Sequence, residues 1–351
     1  MVNPAASAST LKPLIEMKKR EYNSPKEKRV KEMNIPKEYR KKHYRIWYEL
    51  LYKSPRIPAK EASLSLGIDE KTASARLREA YDEKRIVGPE LRKLSKANFP
   101  EYMYFANCKD PDPLYRKYRM DERVIFHALM YGFANLWVIS KEKMDIEGDV
   151  VVEGLRSDYY VAFAPEYSWD YAIQTKRKEI WEFNLNEYAP KGYIKTHSGE
   201  TVKWTEKEEI MYRHFRDNLR KPFAPVMEEN RISTYTLYKW LERLPECCTI
   251  ATSYFPEGIS EYEPYLFLFE TDYEDFVIEV FSGLPTSSRF FKVSDKLFLY
   301  THVPKKYIKG SDLDTEPSEL TIPSLTSELF KRGIIRRGLR GPIETYWGKD
   351  L

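Results

Sequence analysis

Five side chains on one short segment have the types and spacing to read a polyanion. Lys71, Thr72, Ser74, Arg76 and Arg78 follow the breaker Gly67 and the capping residue Asp69. On a helix, Lys71, Ser74, Ala75 and Arg78 share one face, with Thr72 beside them and Arg76 on the flank. Lysine and arginine neutralise phosphates, whereas threonine, serine and arginine also reach base edges. The spacing predicts a short helix from Pro58, a turn at Gly67 and an amphipathic helix that could lie in a nucleic-acid groove. Roughly 165 residues later the phrase recurs, as Lys221-Pro-Phe-Ala-Pro-Val-Met-Glu-Glu-Asn-Arg-Ile-Ser233 followed by Thr236-Leu-Tyr-Lys-Trp-Leu-Glu-Arg-Leu244. Its last helix is read as exposing Tyr235, Lys239, Trp240 and Arg243. Lys239 and Arg243 are candidate backbone contacts, and the rings suit stacking or protein contact.

A second group of cations lies at the start of the chain. Residues 1–45 hold 13 Lys/Arg against 5 Glu, so the rest of a chain of net charge +4 is mildly acidic. Lys18, Lys19, Arg20, Lys26, Lys28, Arg29 and Lys31 carry much of this surplus, between the breakers Pro13, Pro25 and Pro36 and without an apolar face. The pattern predicts a basic arm that orders on a polyanion. The run Lys331-Arg-Gly-Ile-Ile-Arg-Arg-Gly-Leu-Arg340 is a further basic patch.

Other chemistry lacks its residues. The five histidines (His43, His127, His197, His214, His302) show no metal-ligand spacing, and no P-loop, GxGxxG, GxSxG or HExxH occurs. Cys108, Cys247 and Cys248 form neither a CxxC pair nor an even framework. With no leader signature, this predicts a reducing cytoplasm. No apolar run approaches the ~18 residues that cross a bilayer. The expectation is a protein without catalysis, cofactor or metal.

The elements that must position these residues predict an α+β chain in two similar halves. Residues 1–35 form the arm, and 36–97 a first winged helix-turn-helix whose wing begins at Arg85-Ile-Val-Gly-Pro89. In 98–165 the strand Tyr102–Asn107 precedes a long helix Pro113–Tyr131 carrying His127. Strands follow at Leu136–Ser140, Val150–Val152 and Tyr159–Ala164, a β-α-β-β order. An aromatic and charged connector, 166–204, should pack on the body. The second winged unit, 205–262, opens on the capping box Thr205-x-x-Glu208. The last unit, 263–351, repeats the sandwich, with strands at Tyr265–Glu270, Arg289–Val293, Leu297–Val303 and Ile343–Tyr346 and helices at Tyr273–Leu284 and Leu325–Ile334.

These units resemble the Lrp/AsnC (feast/famine) family, a winged helix-turn-helix followed by a βαββαβ sandwich. The similarity runs through Arg56–Asn107 and again through Lys221–Glu270, where Leu241-Glu-Arg-Leu-Pro-Glu-Cys leads through Phe255-Pro-Glu-Gly into Tyr265-Leu-Phe-Leu-Phe269. The second copy departs from the pattern, with Asn230-Arg231 in place of a Leu-Gly turn and Pro225 inside its second helix. The resemblance implies a cytoplasmic, archaeal-type transcriptional regulator that binds DNA. It also implies sandwich domains that pair within the chain or in a homodimer. An alternative keeps the arm and winged helices and makes the partner ribosomal or other structured RNA; another makes the units protein adaptors. A further reading is enzymatic: siroheme decarboxylases resemble paired units of this kind and use histidines, which would make His127 a proton donor. Nothing else in the sequence resembles a tetrapyrrole site.

Overall fold

The computed structural model describes residues 37–308 and 322–348. Helix α1 (Lys37–Lys53) is followed by α2 (Ala59–Leu66) and α3 (Glu70–Asp82). Gly67 closes α2 in the left-handed region, φ 65°, where a side chain is penalised. The Asp69 carboxylate caps α3 by accepting the Thr72 N–H at 3.0 Å. Ala73, Leu77 and Ala80 then turn inward onto Trp47 and Leu51 of α1, and Trp47 Nε1 donates to the Ala73 carbonyl at 3.1 Å. Buried apolar area of this kind holds short helices that would be marginal alone.

A second helical group has the same local chemistry. The reciprocal capping box Thr205/Glu208 starts α6 (Glu206–Phe215). Helix α7 (Ala224–Asn230) ends at Arg231 with φ 51°, and Ser233 caps α8 (Thr234–Cys247) by accepting from the Thr236 N–H. Pro225 stands in the first turn of α7, where its missing N–H has no helical partner to lose. The two groups lock together reciprocally. Arg220 Nη1 donates to the Ile57 carbonyl at 2.8 Å, while Arg56 Nη1 donates to the carbonyls of Leu219 and Lys221. Strand β1 (Ile86–Lys93), at the place where a wing was expected to begin, pairs antiparallel with β7 (Cys248–Tyr254), and the register shifts between Val87 and Glu90.

The rest is a mixed α+β body. The first half adds β2 (Tyr102–Asn107), α4 (Pro111–Met120), β3 (Val124–Met130), β4 (Leu136–Ser140), β5 (Asp149–Leu155), β6 (Tyr160–Val161) and α5 (Trp169–Glu182). The second adds β8 (Tyr262–Thr271), α9 (Glu274–Ser282), β9 (Arg289–Val293), β10 (Lys296–Pro304), α10 (Ile322–Lys331) and β11 (Ile335–Gly348). Nine strands form one sheet in the order β5-β2-β4-β3-β11-β8-β10-β9-β6. Strand β11 joins the halves: Ile335–Pro342 pairs with β8 and Ile343–Gly348 with β3. At the other end Arg156 bridges Val293, and Ser294 Oγ donates to the Glu153 carbonyl at 2.8 Å, so the sheet curls until β5 meets β9.

Curling separates two faces. Inside, Phe105, Met130, Trp137, Phe291 and Phe298 form a shared core. Outside, α9, α10 and α5 cover Phe267, Phe269 and Leu299, and α4 covers Tyr104, Leu136 and Val138. The connector expected to pack on the body does so through Ile173 and Ile180 of α5.

Three elements differ from expectation. The helix expected over Pro113–Tyr131 stops at Met120, where Asp121 Oδ1 accepts the Arg123 N–H at 2.9 Å and Val124-Ile-Phe starts a strand instead. Branched and aromatic residues with period-2 alternation override the helical reading there. Of Tyr159–Ala164, only Tyr160–Val161 pairs as strand. The last strand is far longer than Ile343–Tyr346 because it serves both half-sheets. Among the described residues no helix is long and apolar enough to cross a membrane.

Candidate functional site

Where the curled sheet opens toward the β1–β7 ribbon lies a cavity of about 580 Å³. Its floor is aromatic and aliphatic, from inward positions of the strands: Phe126, Trp137, Ile139, Phe291, Tyr300 and Ile343, with Tyr346 and Tyr159 beside them. Its walls are charged. Arg92 and Lys93 come from the end of β1, Arg213 and Arg216 from α6 and the residue after it, Lys141 from the end of β4, and Arg289 from the start of β9. Against these six cations stand three carboxylates, Glu90, Glu101 and Glu209.

Two of the three carboxylates are shared between cations rather than matched one to one. Glu90 pairs with Arg289 and lies 3.3 Å from Arg92. Glu209 accepts from Lys93 Nζ at 2.5 Å, Arg213 Nε at 2.9 Å and Trp204 Nε1 at 2.8 Å. Burial would raise the Glu209 carboxyl, but these donors outweigh it and hold it at about 2. Glu101 is bound at 2.7 Å by the buried Arg156, whose guanidinium also lies over the Tyr159 ring. Lys141 makes no ion pair among the described residues. Positive charge is therefore in surplus at the cavity.

The wall formed by β9 and β10 also carries titratable side chains. His302 packs edge-on against Phe255 and Tyr300, with ring centroids 4.7 and 5.2 Å away. Burial, then the charge of Arg289, lowers its pKa to about 4, so it is neutral at pH 7. Burial pushes Tyr300 and Tyr159 up to about 12 and keeps their hydroxyls as donors. The wall from β3 and β4 is apolar by contrast, with Phe126, Trp137 and Ile139. The chemistry available is to hold an anionic ligand against flat apolar surface and exchange a proton through an imidazole.

Among the described residues, none of those expected to read nucleic acid lines this cavity. Lys71 and Arg78 are exposed on α3, with Thr72 and Ser74 half-buried. Arg76 instead is 5 % exposed and pairs with Glu79 at 2.6 Å, because its position falls on the packed stripe of the helix. On α8, Trp240 is buried, Arg243 pairs with Glu208, and Lys239 pairs with Glu242 at 3.1 Å. Lys18, Lys19, Arg20, Lys26, Lys28, Arg29 and Lys31 lie outside the described residues. His127 sits on β3, fully buried between the rings of Tyr115 and Trp347 and away from the cavity. Among the described residues no His/Cys/Asp/Glu cluster could hold a metal ion.

No protein-family model and no curated protein matches the chain. Solved structures do. A siroheme decarboxylase NirDL is 12% identical with a TM-score of 0.45, over 88% of this chain and 92% of that one. The same enzyme in complex with an iron-uroporphyrin III analogue gives 12% and 0.42, over 84% and 87%. An anthrone oxidase-like protein gives 7% and 0.28, over 76% and 98%. Two expectations are corrected here. The chain was read as a DNA-binding regulator and as a protein without catalysis, whereas the structures it is similar to include siroheme decarboxylases, which are enzymes.

Proposed function

We propose that the cavity is the working site, that it takes a planar ligand with several carboxylates, and that His302 exchanges a proton with that ligand. One observation carries this: six cations against three carboxylates around an aromatic floor, in a space of the size that encloses small molecules. Guanidinium–carboxylate pairs are strong where water is scarce, and flat rings stack on Trp137, Phe126 and Phe291. His302 is held neutral by burial and by the charge of Arg289, and a ligand carboxylate on Arg289 would relieve that charge and let the imidazole take a proton and return it.

We infer further that the two halves are copies of one winged helix-turn-helix and ferredoxin-like unit, divided near residues 97, 165, 204 and 262. Supporting this are the left-handed caps at Gly67 and Arg231, the side-chain caps at Asp69 and Ser233, and the exchange between Arg56 and Arg220, all recurring at a constant interval.

Uroporphyrin III, a planar ring with a carboxylate-rich rim, is a suitable probe. Its absorption band should shift on titration with the protein at micromolar concentration, and excess benzene hexacarboxylate should reverse the shift. A band unmoved at any protein concentration would remove the proposal.

A further inference from the structure

Glu90 stands where an incoming carboxylate would bind. It is 8 % exposed on β1, directly after the register shift that follows Val87. One of its oxygens pairs with Arg289 and the other lies 3.3 Å from Arg92 Nη2. Among the described residues its side chain makes no other hydrogen bond. Arg289 is itself half-buried, with its guanidinium 5.4 Å from the centre of the Tyr159 ring. A single carboxylate thus neutralises two cations in a place of low dielectric, and a positive charge is left over.

Glu209, the other shared carboxylate, is held differently. It has a lysine, an arginine and an indole N–H on it, all within 2.9 Å, and those donors keep it firmly ionised. Three donors fix Glu209 as part of the wall. Glu90 has only the two guanidiniums, both of which face the cavity.

We propose that Glu90 is a built-in substitute for a ligand carboxylate: it bridges Arg92 and Arg289 in the ligand-free protein and gives them up when a ligand carboxylate arrives. The inference rests on the reading of the cavity as a carboxylate site, and it names the residue that sets affinity and selection there. No covalent bond changes; one carboxylate replaces another on two guanidiniums. A ring without carboxylates cannot make the exchange and is refused. Carboxylates on one side of the ligand's rim then lie on the β9–β10 wall beside Tyr300 and His302, with its flat face on Trp137 and Ile139.

Glu90→Gln tests this with uroporphyrin III as the probe, at low ionic strength and pH 7.5. Glutamine keeps the shape but removes the competing charge, so the variant should bind about tenfold tighter than the unaltered protein, the equivalent of ~1.4 kcal/mol. Glu209→Gln should bind no tighter. If the unaltered protein binds and Glu90→Gln binds equally or more weakly, Glu90 merely positions the arginines and the inference is overturned, while the cavity reading stands. If neither protein binds, the cavity reading fails and takes this inference with it. Should Glu90→Gln not fold by circular dichroism, Glu90→Asp replaces it. That shorter carboxylate cannot span both guanidiniums, and tighter binding is again expected.

Discussion

Burial of imidazoles makes an acid-sensitive molecule. His127 is fully enclosed, and burial lowers its pKa to about 4 from an ordinary 6.5. The unfolded chain therefore takes up this proton more readily than the folded one. Stability from the neutral imidazole is fully present above about pH 6.5 and is lost as pH falls toward 4, by up to ~3 kcal/mol. Replacing His127 with Leu should flatten the melting temperature between pH 6.5 and 4.5; an unchanged slope would show that the imidazole does not control it. At this scale the sequence was half legible. Caps such as Asp69 and Thr205 could be named because their chemistry is local. Trp240 was misread as exposed, and Arg76, placed on the flank, proved buried, because a helical repeat leaves flank positions ambiguous by one residue. The cavity residues escaped notice because Glu90, Arg289 and His302 lie on separate strands and meet only in the folded sheet. A signal did exist: Tyr300 and His302 are polar residues at alternating positions of the apolar run Leu297–Val303.

Elements differ in how much outside information they need. Most strands and helices of the second half were legible because their apolar period is unambiguous and turns bound them. Strand β3 was lost to a helix because Leu, Met and Ala also suit helices, and only pairing with β4 and β11 decides the matter. Strand β11 was read short because its first part is basic, and its exposed arginines hide the pairing with β8. Where β11 passes from one half-sheet to the other, Gly132 and Gly341 let two backbones touch: a Cβ on either would run into the carbonyl oxygen of the facing chain. Gly341→Ala should cost ~2 kcal/mol or more, read as a lower denaturant midpoint. Gly199→Ala, with open space around it, should cost far less. Equal midpoints would mean that the crossing is not tight.

For the whole molecule, the two halves are one structure, tied by the β1–β7 ribbon, the Arg56–Arg220 exchange and β11. The cavity draws on both halves, with Arg92, Trp137 and Ile139 from the first and Arg213, Arg289 and His302 from the second. This was the least legible feature, since the sequence was read as two successive winged units, the second departing from the pattern, whereas this cavity takes unlike walls from both halves. The proposed cavity binds a polycarboxylate through its surplus cations. Calorimetric titration with uroporphyrin III tests it most directly, comparing the unaltered protein with an Arg92→Gln/Lys141→Gln variant. In that variant Glu90 keeps Arg289, and Lys141 breaks no ion pair, so the fold should survive. One ligand per chain is expected, with binding that weakens with added salt and about tenfold or greater loss in the variant. Binding of equal strength in both proteins, or a stoichiometry of two, would contradict it.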